Sequence, residues 1–286
     1  MKLLILAGYT KDEREIKKNK QRLDHKLTVS YLEGLNKALF GLESGYSMLQ
    51  SMVDTYNNSD YISEIYVVGP EEEYKGIIKN CNFIDYNVSM SKNVQKGLLE
   101  FPNERIAIST CDIPFITTDH VNNYFKSISP YSNKDLIFQL VERKNLVKES
   151  RWKPFYTLLD DNQKKTIVPG HLVIIDTNSV PDFVYEIVDF IYYDLRGTSV
   201  FEKIVLSAKR LHEEKILGSI WSGLKKPLSK FLGKSLKKEE LEKLVETVTN
   251  MSTHLEISKI HEFGEDVDTV GELQKLEEYL KANRAN

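Results

Sequence analysis

Residues 105–114 read RIAISTCDIP, and this stretch decides how the fold is interpreted. Its first part, Arg105–Thr110, predicts a β-strand, and the chain passes from that strand directly into Asp112. Pro114 stiffens the turn that follows. In an open parallel sheet, ligands bind outside the carboxyl ends of the strands. The stretch therefore predicts a strand whose end presents Asp112 to a ligand.

The alternation of strand and helix continues on both sides of this stretch. Three further strands are predicted at 3–7, 65–69 and 136–140, and three helices at 47–56, 94–101 and 121–128. Short connections between alternating strands and helices are typical of a parallel sheet with helices on both faces. The sequence predicts an α/β fold with a mostly parallel, doubly wound, Rossmann-like sheet.

The second half of the chain has a different pattern. Strands are predicted at 155–159, 171–175 and 255–260, a mostly helical region from 184 to 249, and a last helix over 270–282. The first two of these strands are separated by a turn at Asp160–Asn162. We find no internal repeat and no low-complexity linker. We expect one domain over 1–286, with a nucleotide-binding half (1–140) and an acceptor-binding, helical half (141–286).

Composition restricts the classes of partner. The net charge of −3 gives no electrostatic reason to expect nucleic acid. The apolar run at 3–7 is too short for a signal peptide, and no run of apolar residues is long enough to span a bilayer. The lysine-rich stretch 218–238 fits packing on its own domain better than contact with a membrane. We therefore expect a cytoplasmic protein, and the sequence leaves its oligomeric state open.

Three separate segments are predicted to meet at the carboxyl edge of the sheet. They are the loop after Ala7–Gly8 that leads to Lys37, the turn with Asp112, and the acidic pair Asp266 and Asp268 before the last helix. Mg²⁺ prefers oxygen ligands and is held by one or two carboxylates together with substrate phosphates. A lysine beside it supplies a compact positive charge for a phosphate. Each residue alone also fits a turn, a helix cap or a solvated side chain, so the prediction rests on their combination.

With these segments in place, the chain resembles the MobA-like NTP transferases, which are nucleotidyltransferases with a GT-A-type fold. The resemblance spans nearly the whole chain in the family's order, over residues 4–8, 36–39, 45–49, 65–69, 111–115 and 266–273. Two features depart from the family pattern. A second glycine often follows Ala-Gly in relatives, where this chain has Tyr9, and the loop between Tyr9 and Lys37 is long and highly charged.

The resemblance implies roles for individual residues. Asp112 and Asp268, with Asp266 beside them, would hold Mg²⁺, and Lys37 would bind the phosphates of the NTP. The remaining nucleotide contacts would come from Leu6, Ala7, Gly8, Tyr9 and, in the turn before a helix at Val94, Asn93. Lys37, Asp112 and Asp268 would then be the catalytic residues.

The expected reaction transfers an NMP from an NTP to a small phosphorylated acceptor and releases pyrophosphate. A phosphate acceptor is already ionised and needs no general base, in agreement with the lack of any histidine that stands out near the predicted site. The six histidines also show no metal-ligand spacing. Arg151 and Lys153 are candidates to bind the anionic acceptor, and Gly170 would allow a close approach. Two alternatives stay open: a glycosyltransferase that uses a sugar nucleotide, and a non-catalytic nucleotide sensor or partner-binding protein, which Tyr9 and the long loop would suit.

Overall fold

The computed structural model describes residues 1–8, 36–86, 90–146, 156–185, 236–267 and 270–284. In these residues a single mixed sheet is surrounded by helices. The strands are β1 (Lys2–Leu6), β2 (Glu64–Gly69), β3 (Asn82–Asp85), β4 (Arg105–Thr110), β5 (Leu136–Glu142), β6 (Tyr156–Asp160), β7 (Gln163–Asp176), β8 (Leu236–Lys237) and β9 (Thr253–Ser258).

The sheet is mostly parallel, with one reversed strand among those described. Its order is β3-β2-β1-β4-β7-β5-β9, while β6 pairs with β7 and β8 pairs with β6. The strand β7 is antiparallel to β4, β5 and β6, and the other neighbouring pairs are parallel. The carboxyl ends of β1, β2, β4, β5 and β9 therefore lie at the same edge of the sheet.

The helices cover both faces of this sheet. They are α1 (Met48–Asn57), α2 (Glu71–Tyr74), α3 (Met90–Leu99), α4 (Thr118–Ile128), α5 (Lys238–Thr249) and α6 (Val270–Arg284). Short 3-10 helices occur at Lys37–Leu39, Ser129–Tyr131, Arg143–Asn145, Thr177–Ser179 and His261–Gly264. No helix in the described ranges is both long and apolar enough to cross a membrane.

The apolar runs in the sequence correspond to strands that are buried on both faces. In β1, Leu3 and Ile5 pack in one cluster with residues of α1 and α4. Leu4, between them, points to the opposite face and packs with Leu98 of α3. A strand between two layers of helices has no polar face, which explains why its sequence shows no alternation. The doubly wound α/β architecture predicted from the sequence is confirmed.

Several local predictions differ from the structure. The sequence patterns did not indicate β3 or α2, which are only four residues long each. The helix predicted from Val94 begins at Met90, so the placement of Asn93 in a preceding turn was wrong. Asn93 lies inside α3 and is buried, because the helix starts a full turn earlier than its apolar pattern. The helical region predicted from residue 184 falls largely on 186–235, outside the described residues.

Candidate active site

Asp112 lies just beyond the carboxyl end of β4, in the middle of the sheet. Its side chain is largely buried, and the Lys37 ammonium donates to Oδ2 at 2.6 Å. The hydroxyl of Thr110 donates to the other carboxylate oxygen. Burial raises the pKa of Asp112, but the charges of Lys37 and His171 and these hydrogen bonds outweigh it. The net result holds the pKa well below its usual range, so the group is ionised at neutral pH.

The end of β1 lies directly beside this carboxylate. The amide of Cys111 donates to the carbonyl oxygen of Leu6 at 3.2 Å, which extends the β1–β4 pairing to the residue before Asp112. The amide of Ala7 donates to the Val68 carbonyl at 2.9 Å. Gly8, the next residue, is exposed. The backbone predicted to hold the nucleotide therefore begins next to Asp112.

Lys37 is held in position through its backbone. It begins a short 3-10 helix, and the side chain of Asn36 caps this helix by accepting from the Ala38 amide. The side-chain amide of Asn36 also donates to the Tyr74 hydroxyl at 2.9 Å, and that hydroxyl donates to the carbonyl oxygen of Ala7. Tyr74 is fully buried. One tyrosine thus fixes both the end of β1 and the turn that carries Lys37.

Thr110 and His171 complete this group of side chains, and sequence reasoning missed both. His171 Nδ1 lies 2.9 Å from Thr110 Oγ1 and 3.7 Å from Asp112 Oδ1. A carboxylate only accepts, so the single hydroxyl proton of Thr110 points to Asp112, and His171 donates to Thr110 from Nδ1. The antiparallel pairing of β7 with β4 brings His171 opposite Thr110. To find these two residues, a sequence signal would have had to reveal the direction of β7.

The C-terminal acidic segment also returns to this position. The amide of Val267 donates to the carbonyl oxygen of Asp112 at 2.8 Å, and Val267 is fully buried. Asp266, its neighbour, is half-buried. The predicted meeting of the two distant acidic segments is therefore present in the backbone.

A second contact holds this returning segment close to α4. Glu262 Oε1 lies 3.7 Å from His120 Nε2, in the first turn of α4, and 3.4 Å from His261 Nε2. The side chain of Glu262 is largely buried. Because α4 follows the turn that contains Asp112, the two segments are joined at both ends of that turn.

Gly170 directly precedes His171 in β7, in an irregular part of the β5–β7 pairing. A Cβ atom at this position would lie 2.5 Å from Oε1 of the fully buried Gln139. A side chain at position 170 would therefore displace Gln139, a constraint that the sequence did not indicate. The other predicted site residues, Tyr9, Arg151, Lys153 and Asp268, lie outside the described residues.

The carboxyl edge of an open, mostly parallel sheet is where α/β enzymes bind their ligands, and here that edge carries a buried, ionised carboxylate and a lysine. The model of the MobA-like NTP transferase domain matches residues 30–176, just over half of the 286 residues. The chain belongs to this family and is a nucleotidyltransferase. The family resemblance inferred from the sequence is confirmed.

Comparison with solved structures agrees on the fold. A hypothetical transferase from Thermus thermophilus is 17% identical with a TM-score of 0.63, over 95% of this chain and 98% of that chain. A CMP:2-keto-3-deoxy-manno-octonic acid synthetase in complex with CTP is 11% identical with a TM-score of 0.52, over 98% of both chains. The sequence matched no curated protein.

Proposed function

We propose that this protein transfers an NMP from an NTP to a small phosphorylated acceptor and releases pyrophosphate, in a reaction that depends on Mg²⁺. The observation that carries the proposal is the carboxylate of Asp112, which is buried, ionised and paired with Lys37 at the carboxyl edge of the sheet. A buried carboxylate that stays ionised is poised to bind a cation. The CTP complex of a synthetase with the same fold gives further support for an NTP substrate.

The side chains at this edge fit a magnesium ion. Asp112 supplies a carboxylate, and the Val267 contact brings the segment of Asp266 beside it. In the described residues no three His, Cys, Asp or Glu side chains form a metal-binding group. Mg²⁺ does not need such a group, because substrate phosphates and water fill most of its coordination positions. Asp112 and Asp268, with Asp266 nearby, would hold the ion.

Bound Mg²⁺ would neutralise part of the negative charge that develops on the transferring phosphate. Lys37 would bind the phosphates from another side and stabilise the same charge. The backbone of Leu6–Gly8, with Tyr9, would hold the base and ribose, and Asn93 would contact the nucleotide from α3. Catalysis then consists mainly of positioning and electrostatic stabilisation, because an ionised phosphate acceptor needs no base.

The acceptor would bind toward β5 and β7, at the edge that these strands share with Asp112. Gly170 lies there, next to His171, which donates to Thr110. Arg151 and Lys153 are the proposed anion-binding residues of this half. This division assigns residues 1–140 to the nucleotide and 141–286 to the acceptor.

A pyrophosphate-release assay with the four common NTPs, Mg²⁺ and a panel of phosphorylated acceptors tests the proposal. We expect release with one nucleotide–acceptor pair, and Asp112→Asn should lower the rate by about 100-fold or more. Asp119→Asn is the matched control, since Asp119 is exposed in the first turn of α4. Nucleotide binding without pyrophosphate release would instead favour a sensor, and full activity in Asp112→Asn would contradict the metal assignment.

A further inference from the structure

Both carboxylate oxygens of Asp112 have hydrogen-bond partners in the protein itself. Lys37 Nζ lies 2.6 Å from Oδ2, and the Thr110 hydroxyl donates to Oδ1. Each carboxylate oxygen can accept a second bond, so a divalent cation could still reach Asp112. It would, however, lie close to the ammonium of Lys37, which is 2.6 Å from Oδ2. Metal binding at Asp112 is therefore opposed by the charge of Lys37 while that side chain stays in place.

The two partners differ in how easily they can leave. Thr110 is part of β4, its hydroxyl is neutral, and His171 holds it from the other side at 2.9 Å. Lys37 has a side chain that is 30% exposed, so it is not enclosed by the core. The backbone beside Lys37 is fixed by the cap from Asn36. The lysine side chain itself is a flexible four-carbon chain. Lys37 is the partner that can move while the site keeps its shape.

We propose that Lys37 is an exchangeable counter-cation, which occupies Asp112 until an NTP arrives and then transfers its ammonium to the phosphates. The divalent cation takes the vacated oxygen, so metal and nucleotide bind with strong positive coupling and the metal alone binds weakly. This inference rests on the proposed function. It adds the order of events at Asp112, which the proposed function does not specify.

Electrostatics supports a strict exchange. An ammonium group and a divalent cation on one buried carboxylate repel each other, and low dielectric strengthens that repulsion. Without the ammonium or a metal, the buried Asp112 carboxylate would lose the charge that offsets its burial most, which is costly in a protein interior. A triphosphate supplies several negative charges, which attract Lys37 and the metal together. The positive charge that the metal adds is offset by the triphosphate, so each of the two ligands favours binding of the other.

Binding of Mn²⁺ alone, measured by electron paramagnetic resonance, tests the proposal without any turnover. In the unaltered protein, we expect weak Mn²⁺ binding that becomes about tenfold tighter or more when NTP is present, after subtraction of the Mn²⁺ that NTP binds without protein. Lys37→Met should bind Mn²⁺ alone about tenfold more tightly than the unaltered protein, and NTP should add little. Lys37→Arg keeps the charge and should retain weak Mn²⁺ binding without nucleotide.

Lys134→Met is the matched control. Lys134 forms an ion pair with Glu246 at 3.2 Å, its side chain is 32% exposed, and it lies before β5 at the opposite edge of the sheet. This variant should bind Mn²⁺ as the unaltered protein does. The exchange is wrong if Lys37→Met binds Mn²⁺ alone no more tightly while the unaltered protein binds Mn²⁺ with NTP. Absence of Mn²⁺ binding even with NTP would instead overturn the metal site and the exchange together.

Discussion

The contact between Tyr74 and Ala7 depends on the absence of a side chain at Gly69. A Cβ atom there would lie 2.7 Å from Cε2 of Tyr74 and 3.0 Å from the carbonyl oxygen of Ala7. The Ala7 oxygen is a backbone atom directly after β1 and cannot move aside cheaply. The tyrosine hydroxyl that holds Ala7 and Asn36 is therefore the group that an added methyl would displace.

We predict that Gly69→Ala lowers the free energy of unfolding by about 1–3 kcal/mol, because overpacking forces side chains out of position. It should also weaken NTP binding, since Tyr74 fixes the turn that carries Lys37. Urea denaturation and nucleotide titration measure the two effects. Gly41→Ala is the control, because nothing lies within 4 Å of a Cβ atom at that position. Equal effects of the two substitutions would contradict this role of Tyr74.

The sequence identified some residues of the candidate site and not others, for a physical reason. Asp112 and Lys37 were predicted to share one site because each follows the end of a predicted strand or its loop. The structure places Lys37 Nζ 2.6 Å from Asp112 Oδ2. Thr110 and His171 meet only because β7 runs against β4. The direction of a strand within a sheet is set by tertiary packing, and a local pattern of apolar residues does not reveal it.

The same limit applies to whole elements. The buried strands β1, β2 and β4 have continuous apolar runs, and their sequences predicted them within a residue or two. The short strand β3 has one buried residue in four, which gives no periodic signal. The hairpin turn at Asp160–Asn162 was predicted and is confirmed, with positive φ angles at Asp161 and Asn162. The local sequence did not indicate which other strands pair with β7, the second strand of the hairpin.

One cluster of charges joins α5 to β9. His254 is almost fully buried, and its two nitrogens each lie 3.2 Å from a carboxylate, Glu242 of α5 and Glu256 of β9. Its ring stacks on Tyr131, and Lys238 lies 3.8 Å from Glu242. Burial lowers the pKa of His254, but its hydrogen bonds to Glu242 and Glu256 outweigh this and raise it. Burial likewise raises the pKa values of both glutamates, and their hydrogen bonds to His254 bring them below the usual range.

These directions predict a pH-dependent attachment of α5. A raised histidine pKa contributes stability that is complete below about pH 6.5 and is lost as pH rises through the folded value. The lowered glutamate pKa values contribute stability above about pH 4.3, which is lost as pH falls. The destabilisation caused by His254→Gln should therefore be greatest near pH 5.5 and smaller by on the order of 1 kcal/mol near pH 9. Urea denaturation at the two pH values measures this, and an equal loss at both would contradict the charged cluster.

At the scale of the whole molecule, the C-terminal segment packs against the first half of the chain. Val267 is bonded to Asp112, and Leu273 of α6 packs with Met48 of α1. Glu43 forms an ion pair with Lys281 near the end of α6. The candidate site is thus built from segments that are distant in the chain and meet only in the folded state. That one domain spans 1–286 stays a prediction.

A site of this kind must couple ligand binding to global stability. A ligand that binds only the folded protein stabilises it by about 2.7 kcal/mol at a hundred times its Kd. For a chain of this size, each kcal/mol raises Tm by about 2 °C, so the correct NTP with Mg²⁺ should raise Tm by about 5 °C. The rise should exceed the sum of the effects of NTP alone and Mg²⁺ alone.

Thermal melts with each NTP, with and without Mg²⁺, test this coupling and select the nucleobase. Asp112→Asn should remove the extra rise that Mg²⁺ adds, because it removes the buried charge that binds the cation. It should leave part of the effect of NTP alone, since the backbone of Leu6–Gly8 and Lys37 remain. A purely additive response in the unaltered protein would mean that metal and nucleotide bind independently, and the shared site at Asp112 would then be wrong.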